Sequence, residues 1–200
     1  MRTYLLALGF AAMPVWAQAQ DAQAPDAQAP DAQAPAAQAQ DAPADTAPAE
    51  AAPAQDAQAS FVDAKGQQAG SASLTATPTG VLIQVEATGL PASSWVAFHI
   101  HETGTCDPQT GHESAGGHFN PSDAEHGVLV EGGPHAGDMP NIWVDAEGTA
   151  RAQVFNPLVS LAEGDNAITG RALMIHAKAD DYKSQPSGDA GERLACGVIE

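Results

Sequence analysis

The sequence predicts an all-β domain, a sandwich or barrel of about eight antiparallel strands with long loops between some of them. Three observations predict it. Beyond residue 57, short runs of alternating or branched apolar residues recur between turns containing Gly and Pro. No convincing helix interrupts them, because the apolar spacing of an amphipathic helix is missing. Six of the seven histidines fall between His99 and His135, beside Gly-rich loops, and the seventh is His176.

The first 57 of the 200 residues stand outside that domain. Residues 1–19 carry one basic residue, Arg2, an apolar core from Tyr4 to Trp16, and the small-x-small end Ala17-Gln18-Ala19. That is the anatomy of a cleaved export signal. The core is too short for a transmembrane helix and no later segment supplies one, so the mature chain is expected to have no membrane span. Residues 20–57 are nearly all Ala, Gln, Pro and Asp, with Asp-Ala-Gln-Ala-Pro at 21–25, 26–30 and 31–35. A proline every fifth residue breaks any helix, and there is too little apolar bulk to form a core. The segment reads as an acidic spacer, leaving one domain at 58–200.

Within that domain 58–63 alternates weakly, 71–77 is half polar, and 81–87 is the strongest early strand. The next predicted strand, 95–102, carries His99 and His101 two residues apart. Strand side chains alternate faces, so the two imidazoles project on one side while Phe98 and Ile100 project on the other. Residues 103–141 show no sustained pattern. A loop of that length in a compact domain is usually functional, and a metal would supply the order that a core does not. Strands resume at 142–145 and, after the turn Ala146-Glu147-Gly148, at 149–155. Two more follow at 172–176, ending on His176, and at 193–199, carrying Cys196, with a polar loop at 180–192 before the last.

The domain holds 18 Asp and Glu against six Lys and Arg, a formal charge of −12. That argues against nucleic acid or an anionic membrane surface as partner. An anionic substrate would have to be drawn in by local positive charge. In an exported chain the pair Cys106 and Cys196 reads as a disulfide, with two thiolate metal ligands as the alternative, although neither lies in a Cys-x-x-Cys. Imidazoles gathered with carboxylate in this way suit zinc and copper rather than magnesium or calcium.

These residues also carry a family resemblance. The runs Phe98-His99-Ile100-His101-Glu102, Ser114-Ala115-Gly116-Gly117-His118-Phe119-Asn120-Pro121 and His126-Gly127 resemble motifs of copper–zinc superoxide dismutases. So do Gly132-Gly133-Pro134-His135-Ala136-Gly137-Asp138, Gly170-Arg171-Ala172-Leu173, Ala179-Asp180-Asp181 and Gly191-Glu192-Arg193-Leu194-Ala195-Cys196-Gly197-Val198-Ile199. The likeness spans essentially all of 58–200 and implies a Greek-key β-barrel. By the same resemblance, His99, His101, His118 and His176 hold copper, while His118, His126, His135 and Asp138 hold zinc, with His118 bridging the two. Asp180 matches a carboxylate that hydrogen-bonds His99 and His126. Arg193 matches the arginine that attracts and positions the superoxide anion, and a Cys106–Cys196 disulfide would tie its strand to the loop entering the site. His112 falls outside the pattern and is expected on the surface. Lys183 is a weaker candidate for a steering charge.

The implied reaction converts superoxide to dioxygen and hydrogen peroxide by redox cycling of copper, with Arg193 and the proton-carrying His118 as the catalytic residues. Val96 and Ala97 stand where the family usually has His and Gly, which touches local packing rather than the ligand set. The five-residue step from His101 to Cys106, and the Gly-Gly before His118, look like the bacterial exported branch, so a periplasmic or secreted location is expected. Homodimer and monomer both stay open. The rivals are a metal buffer or metallochaperone of the same fold and an envelope module presented on the spacer. The presence of every ligand and of Arg193 speaks against the buffer.

Overall fold

The computed structural model describes residues 56–200. The export signal expected at 1–19 and nearly all of the spacer expected at 20–57 lie outside the described residues. Nine strands form: β1 (Asp56–Asp63), β2 (Gln68–Thr77), β3 (Gly80–Ala87), β4 (Ser94–Val96), β5 (Phe98–His101), β6 (Ile142–Val144), β7 (Ala150–Asn156), β8 (Ala172–His176) and β9 (Arg193–Val198). Their spatial order is β4-β6-β7-β3-β2-β1-β9-β8-β5, and every pairing between them is antiparallel. β1 starts two residues before the expected boundary, because Asp56 and Ala57 already pair with Thr75 and Leu74.

The stretch 95–102 is two strands rather than the expected one. β4 pairs with β6 and β5 with β8, and Ala97 alone separates β4 from β5. These two strands are the ends of the spatial order, so a one-residue corner brings the edges together and the barrel nearly closes. Ala97 is held there by its own backbone: its N–H donates to the Lys178 carbonyl at 2.8 Å and its carbonyl accepts from the His176 N–H at 3.0 Å. The apolar pattern runs straight through Ala97, so periodicity gives no sign of the break.

Inside the barrel the alternation is the expected one. On β3, Val81, Ile83, Val85 and Ala87 are buried while Gln84 and Glu86 are exposed. Phe98 and Ile100 join Phe61, Leu74 and Ile83 in the core with no exposure at all. Burying each such side chain contributes about 1.5–3 kcal/mol. β5 differs from the other early strands in being buried on both faces. One face meets the core and the other lies under the long loop.

That loop contains two short 3-10 turns, Pro108–Thr110 and Glu113–Ala115, and is otherwise irregular. Backbone bonds fasten it along β5. The Ile100 N–H donates to the Gly137 carbonyl at 2.9 Å, the Phe119 N–H to the Ile100 carbonyl at 2.8 Å, and the Glu102 N–H to the Gly117 carbonyl at 2.9 Å. Gly137 is a packing requirement, since a Cβ there would run into the Ile100 carbonyl oxygen. A Cys106–Cys196 disulfide, with Cα atoms 5.5 Å apart, ties the loop to β9. Both cysteines are thereby used, and thiolate ligation drops out. Among the described residues no helix is long and apolar enough to cross a membrane.

Candidate metal centre

Bridges between β5 and its covering loop set the site. His99 stands opposite Asp138 and His101 opposite His118, so a strand and two loop segments deliver four polar side chains to one place. β8 adds His176, the partner of Arg193 in the β8–β9 ladder. Arg171 braces the arrangement from outside. Its guanidinium lies 3.8 Å from the Phe119 ring centroid, and it donates to the carbonyls of Glu102 at 2.7 Å and Ala167 at 2.8 Å. It thus holds the residues that follow His118 and His101. Within its motif, nothing in the sequence separates this role from that of any surface arginine.

Two sets of ligand-type atoms result, each lying within 4.8 Å of one another: His99, His101, His118 and His176, and His118, His126, His135 and Asp138. All seven residues are buried. The hydrogen bonds identify the nitrogen each ring has left. His99 Nε2 donates to Asp180 Oδ2 at 2.9 Å, leaving Nδ1 buried with no partner. His101 Nδ1 donates to the Gly116 carbonyl at 3.0 Å and His176 Nδ1 to the Gly191 carbonyl at 3.4 Å. Each of these two rings therefore turns a bare Nε2 toward the other, 3.3 Å away. Two lone pairs at that distance repel unless a cation lies against both. His118 Nε2 is likewise buried and unpartnered.

The second set converges on one oxygen. His118 Nδ1, His126 Nδ1 and His135 Nδ1 lie 2.8, 3.0 and 3.3 Å from Asp138 Oδ1. Asp138 Oδ2 is tied back by the N–H groups of Gly127 and His135, both at 2.9 Å. Four imidazoles suit copper, and three imidazoles with one carboxylate make a closed tetrahedral set for zinc. The unpartnered lone pairs and the donor chemistry both fit those ions.

Protonation agrees. Burial first, then neighbouring imidazoles, pushes His101 down to about 2 and His176 to about 3. His118 falls to about 4, where burial outweighs the hydrogen bond to Asp138. These rings are neutral and ready to bind metal. His126 goes the other way: burial pulls it down, but Asp138 and Asp180 together raise it to about 9. Burial would raise both carboxyls, yet hydrogen bonds from His118 and His126, with the His135 ring close by, hold Asp138, and hydrogen bonds from His126 and His99 hold Asp180, well below the ordinary carboxylate range.

Asp180 joins the two sets, since its Oδ1 lies 3.1 Å from His126 Nε2 while Oδ2 serves His99. It is aimed by Asn141, whose side chain bonds both backbone groups of Asp180 at 2.8 and 2.9 Å. Sequence reasoning missed Asn141, which carries no signal beyond a polar residue before a strand. Gly188 (φ 70°) was also missed. A side chain there would strike the Asp180 carboxylate and the His126 ring.

Arg193 lines a cleft of about 530 Å³ together with His101, His118 and His176. Glu102, Glu113 and Asp123 line it too, and the sequence reading named none of them as site residues. Lys183 is exposed and does not line this cleft. His112 is the main correction. It was expected on the surface, yet it has no exposure and neither ring nitrogen has a hydrogen-bond partner. It starts the Glu113–Ala115 turn in a left-handed conformation (φ 63°), which tucks the ring inward, and its carbonyl accepts from Arg193 Nη1 at 2.8 Å.

A family model described as copper/zinc superoxide dismutase matches residues 68–199. "Superoxide dismutase [Cu-Zn] 1" of Aquifex aeolicus is 52% identical over 146 residues, covering 71% of this chain and 86% of the relative. Among solved structures, a superoxide dismutase-like protein from Bacillus subtilis aligns with a TM-score of 0.69 at 36% identity, covering 72% of this chain and 97% of that one. The copper/zinc superoxide dismutase of Brucella abortus aligns with a TM-score of 0.61 at 28% identity, covering 73% and 100%. With its barrel, its two ligand sets and this extent of similarity, the chain belongs to the copper/zinc superoxide dismutase family.

Proposed function

We propose that the chain dismutes superoxide, with His99 Nδ1 and the Nε2 atoms of His101, His118 and His176 holding copper. His118 Nδ1, His126 Nδ1, His135 Nδ1 and Asp138 Oδ1 hold zinc. The observation that carries this reading is the shared use of His118, whose two nitrogens face the two ligand sets. Copper supplies one-electron redox chemistry, so that two superoxide anions and two protons give dioxygen and hydrogen peroxide, and zinc is structural.

The protein's own groups do the rest. Arg193, the one cationic Lys or Arg among the residues lining the cleft, binds and orients the anion against the field of a −12 domain. Asp180 fixes the tautomers of His99 and His126 by accepting their Nε2–H protons. His118 can hold a proton at Nε2, the ring nitrogen that has no hydrogen-bond partner. The disulfide and the bacterial relatives support an extracellular or periplasmic setting, and periplasmic export through a signal at 1–19, with 20–57 as spacer, belongs to the same proposal.

The test is superoxide consumption by the purified protein, with copper and zinc measured in the same sample. One copper and one zinc per chain with rapid turnover is the expected result. Arg193→Ala is expected to lower kcat/KM by about one to two orders of magnitude with metal content unchanged. Full metal loading without activity would sink the enzyme reading in favour of a metal buffer.

A further inference from the structure

Both terminal nitrogens of Arg193 are engaged. Nη1 donates to the His112 carbonyl at 2.8 Å, and Nη2 lies 3.4 Å from Glu113 Oε2. The two acceptors are consecutive residues. The left-handed backbone of His112 starts the short turn that aims its own carbonyl and the next side chain at one guanidinium. The Glu113 side chain is 73% exposed and that of Arg193 16%, so the acid sits on the solvent side of the base. Among the described residues Glu113 is the only acid within ion-pair distance of Arg193. Glu102 lines the same cleft, but its Oε1 accepts from the Gly117 N–H at 2.9 Å, and Asp123 stands apart from the guanidinium.

We propose that Glu113 is a specificity-determining residue, a tethered counter-ion that lets Arg193 accept small monoanions and turns away dianions. This rests on the reading of Arg193 as the anion-binding group. An anion reaching Nη2 has to sit beside the Glu113 carboxylate or push it aside. The repulsion is proportional to the charge of the incoming anion, so the free-energy cost doubles for a dianion and the fold-change in affinity is squared. For charges 4–5 Å apart in water-exposed surroundings, one unit of charge weakens binding about fourfold, and two units about fifteenfold. Superoxide, a diatomic monoanion, pays the smaller penalty. Tetrahedral oxyanions of charge −2, which also fit a guanidinium, pay the larger one. A site built on a single arginine thereby gains discrimination that shape alone does not supply.

The test compares Glu113→Gln with Asp123→Asn. Asn removes the same charge from the same cleft and tolerates the left-handed backbone at 123 (φ 53°). In the reduced, copper- and zinc-loaded protein, azide and sulfate titrations are followed through the Nε–H resonance of Arg193. Glu113→Gln is expected to tighten azide about fourfold and sulfate about fifteenfold, whereas Asp123→Asn shifts both by about twofold or less. Equal tightening of azide and sulfate by Glu113→Gln overturns the proposal. So does Asp123→Asn matching Glu113→Gln, or no change in either variant. The anion constants decide the role of Glu113 whether or not the protein turns over. Superoxide consumption in the same preparation bears separately on the function.

Discussion

Asp180 spends its two carboxylate oxygens on two different rings, Oδ2 on His99 and Oδ1 on His126. Asp180→Asn keeps the shape but replaces one acceptor with an N–H donor that faces an N–H donor. Affinity for zinc and copper is expected to fall about 10–100-fold, read by competition with a chelator of known strength. An unchanged affinity would mean that the two rings hold their orientation without it. The grouping of these side chains was legible. A strand period of two puts His99 and His101 side by side, and the spacing of His118, His126, His135 and Asp138 matched a family pattern. Residues that act through others were hidden. Asn141, Gly188 and the backbone of His112 do their work by contacts between segments far apart in the chain, which no local pattern records. His112 misled because a lone histidine in a Gly-rich loop looks solvated until the turn that buries it is seen.

Disulfide Cys106–Cys196 links the covering loop to β9 three residues beyond Arg193, across a sequence separation of 90. Closing a loop of that size restricts the unfolded chain by about 4–5 kcal/mol on a chain-entropy model. The Cys106→Ser, Cys196→Ser double variant is expected to lose stability of that order, measured as a lower unfolding free energy in water with a steeper denaturant slope, because the released unfolded chain exposes more surface. A loss below about 1 kcal/mol would show that the bond restricts the unfolded chain far less than this model has it. Periodicity found every strand of the barrel, but it ran β4 and β5 together, because the side chains around Ala97 stay apolar while the backbone bonds change partner. Pairing partners are decided across the sheet, and the sequence pattern reports only which face each residue shows.

At the scale of the molecule, the metal-free protein should be squeezed from both sides of neutral pH. His126 binds its proton more tightly folded than unfolded, so that contribution is full below about 6.5 and lost as pH rises through about 9. His118, His176 and His101 are held neutral, with values pushed to about 4, 3 and 2. Their share is present above the unfolded value of about 6.5 and drains as pH falls below it. Asp138 and Asp180, lowered in the fold, add to the loss in acid. A melting series on chelated protein should therefore peak near neutrality. Zinc should remove the alkaline limb, because a metal-bound His126 Nδ1 carries no proton. A flat alkaline limb without metal would rule out the His126 assignment.

β5 ends the spatial order of the sheet, and the hydrogen-bonding side turned away from β8 is answered by Gly117, Phe119 and Gly137 of the covering loop. The same loop carries His118, His126, His135 and Asp138. Metal held by these residues would therefore also shield a strand. Once the ions leave, the loop has less reason to stay, and the exposed ladder of Phe98–His101 is a template for another chain. Chelated protein is expected to scatter light on warming at temperatures where loaded protein stays clear. In such a fold the metals guard against self-association as well as against an oxidant.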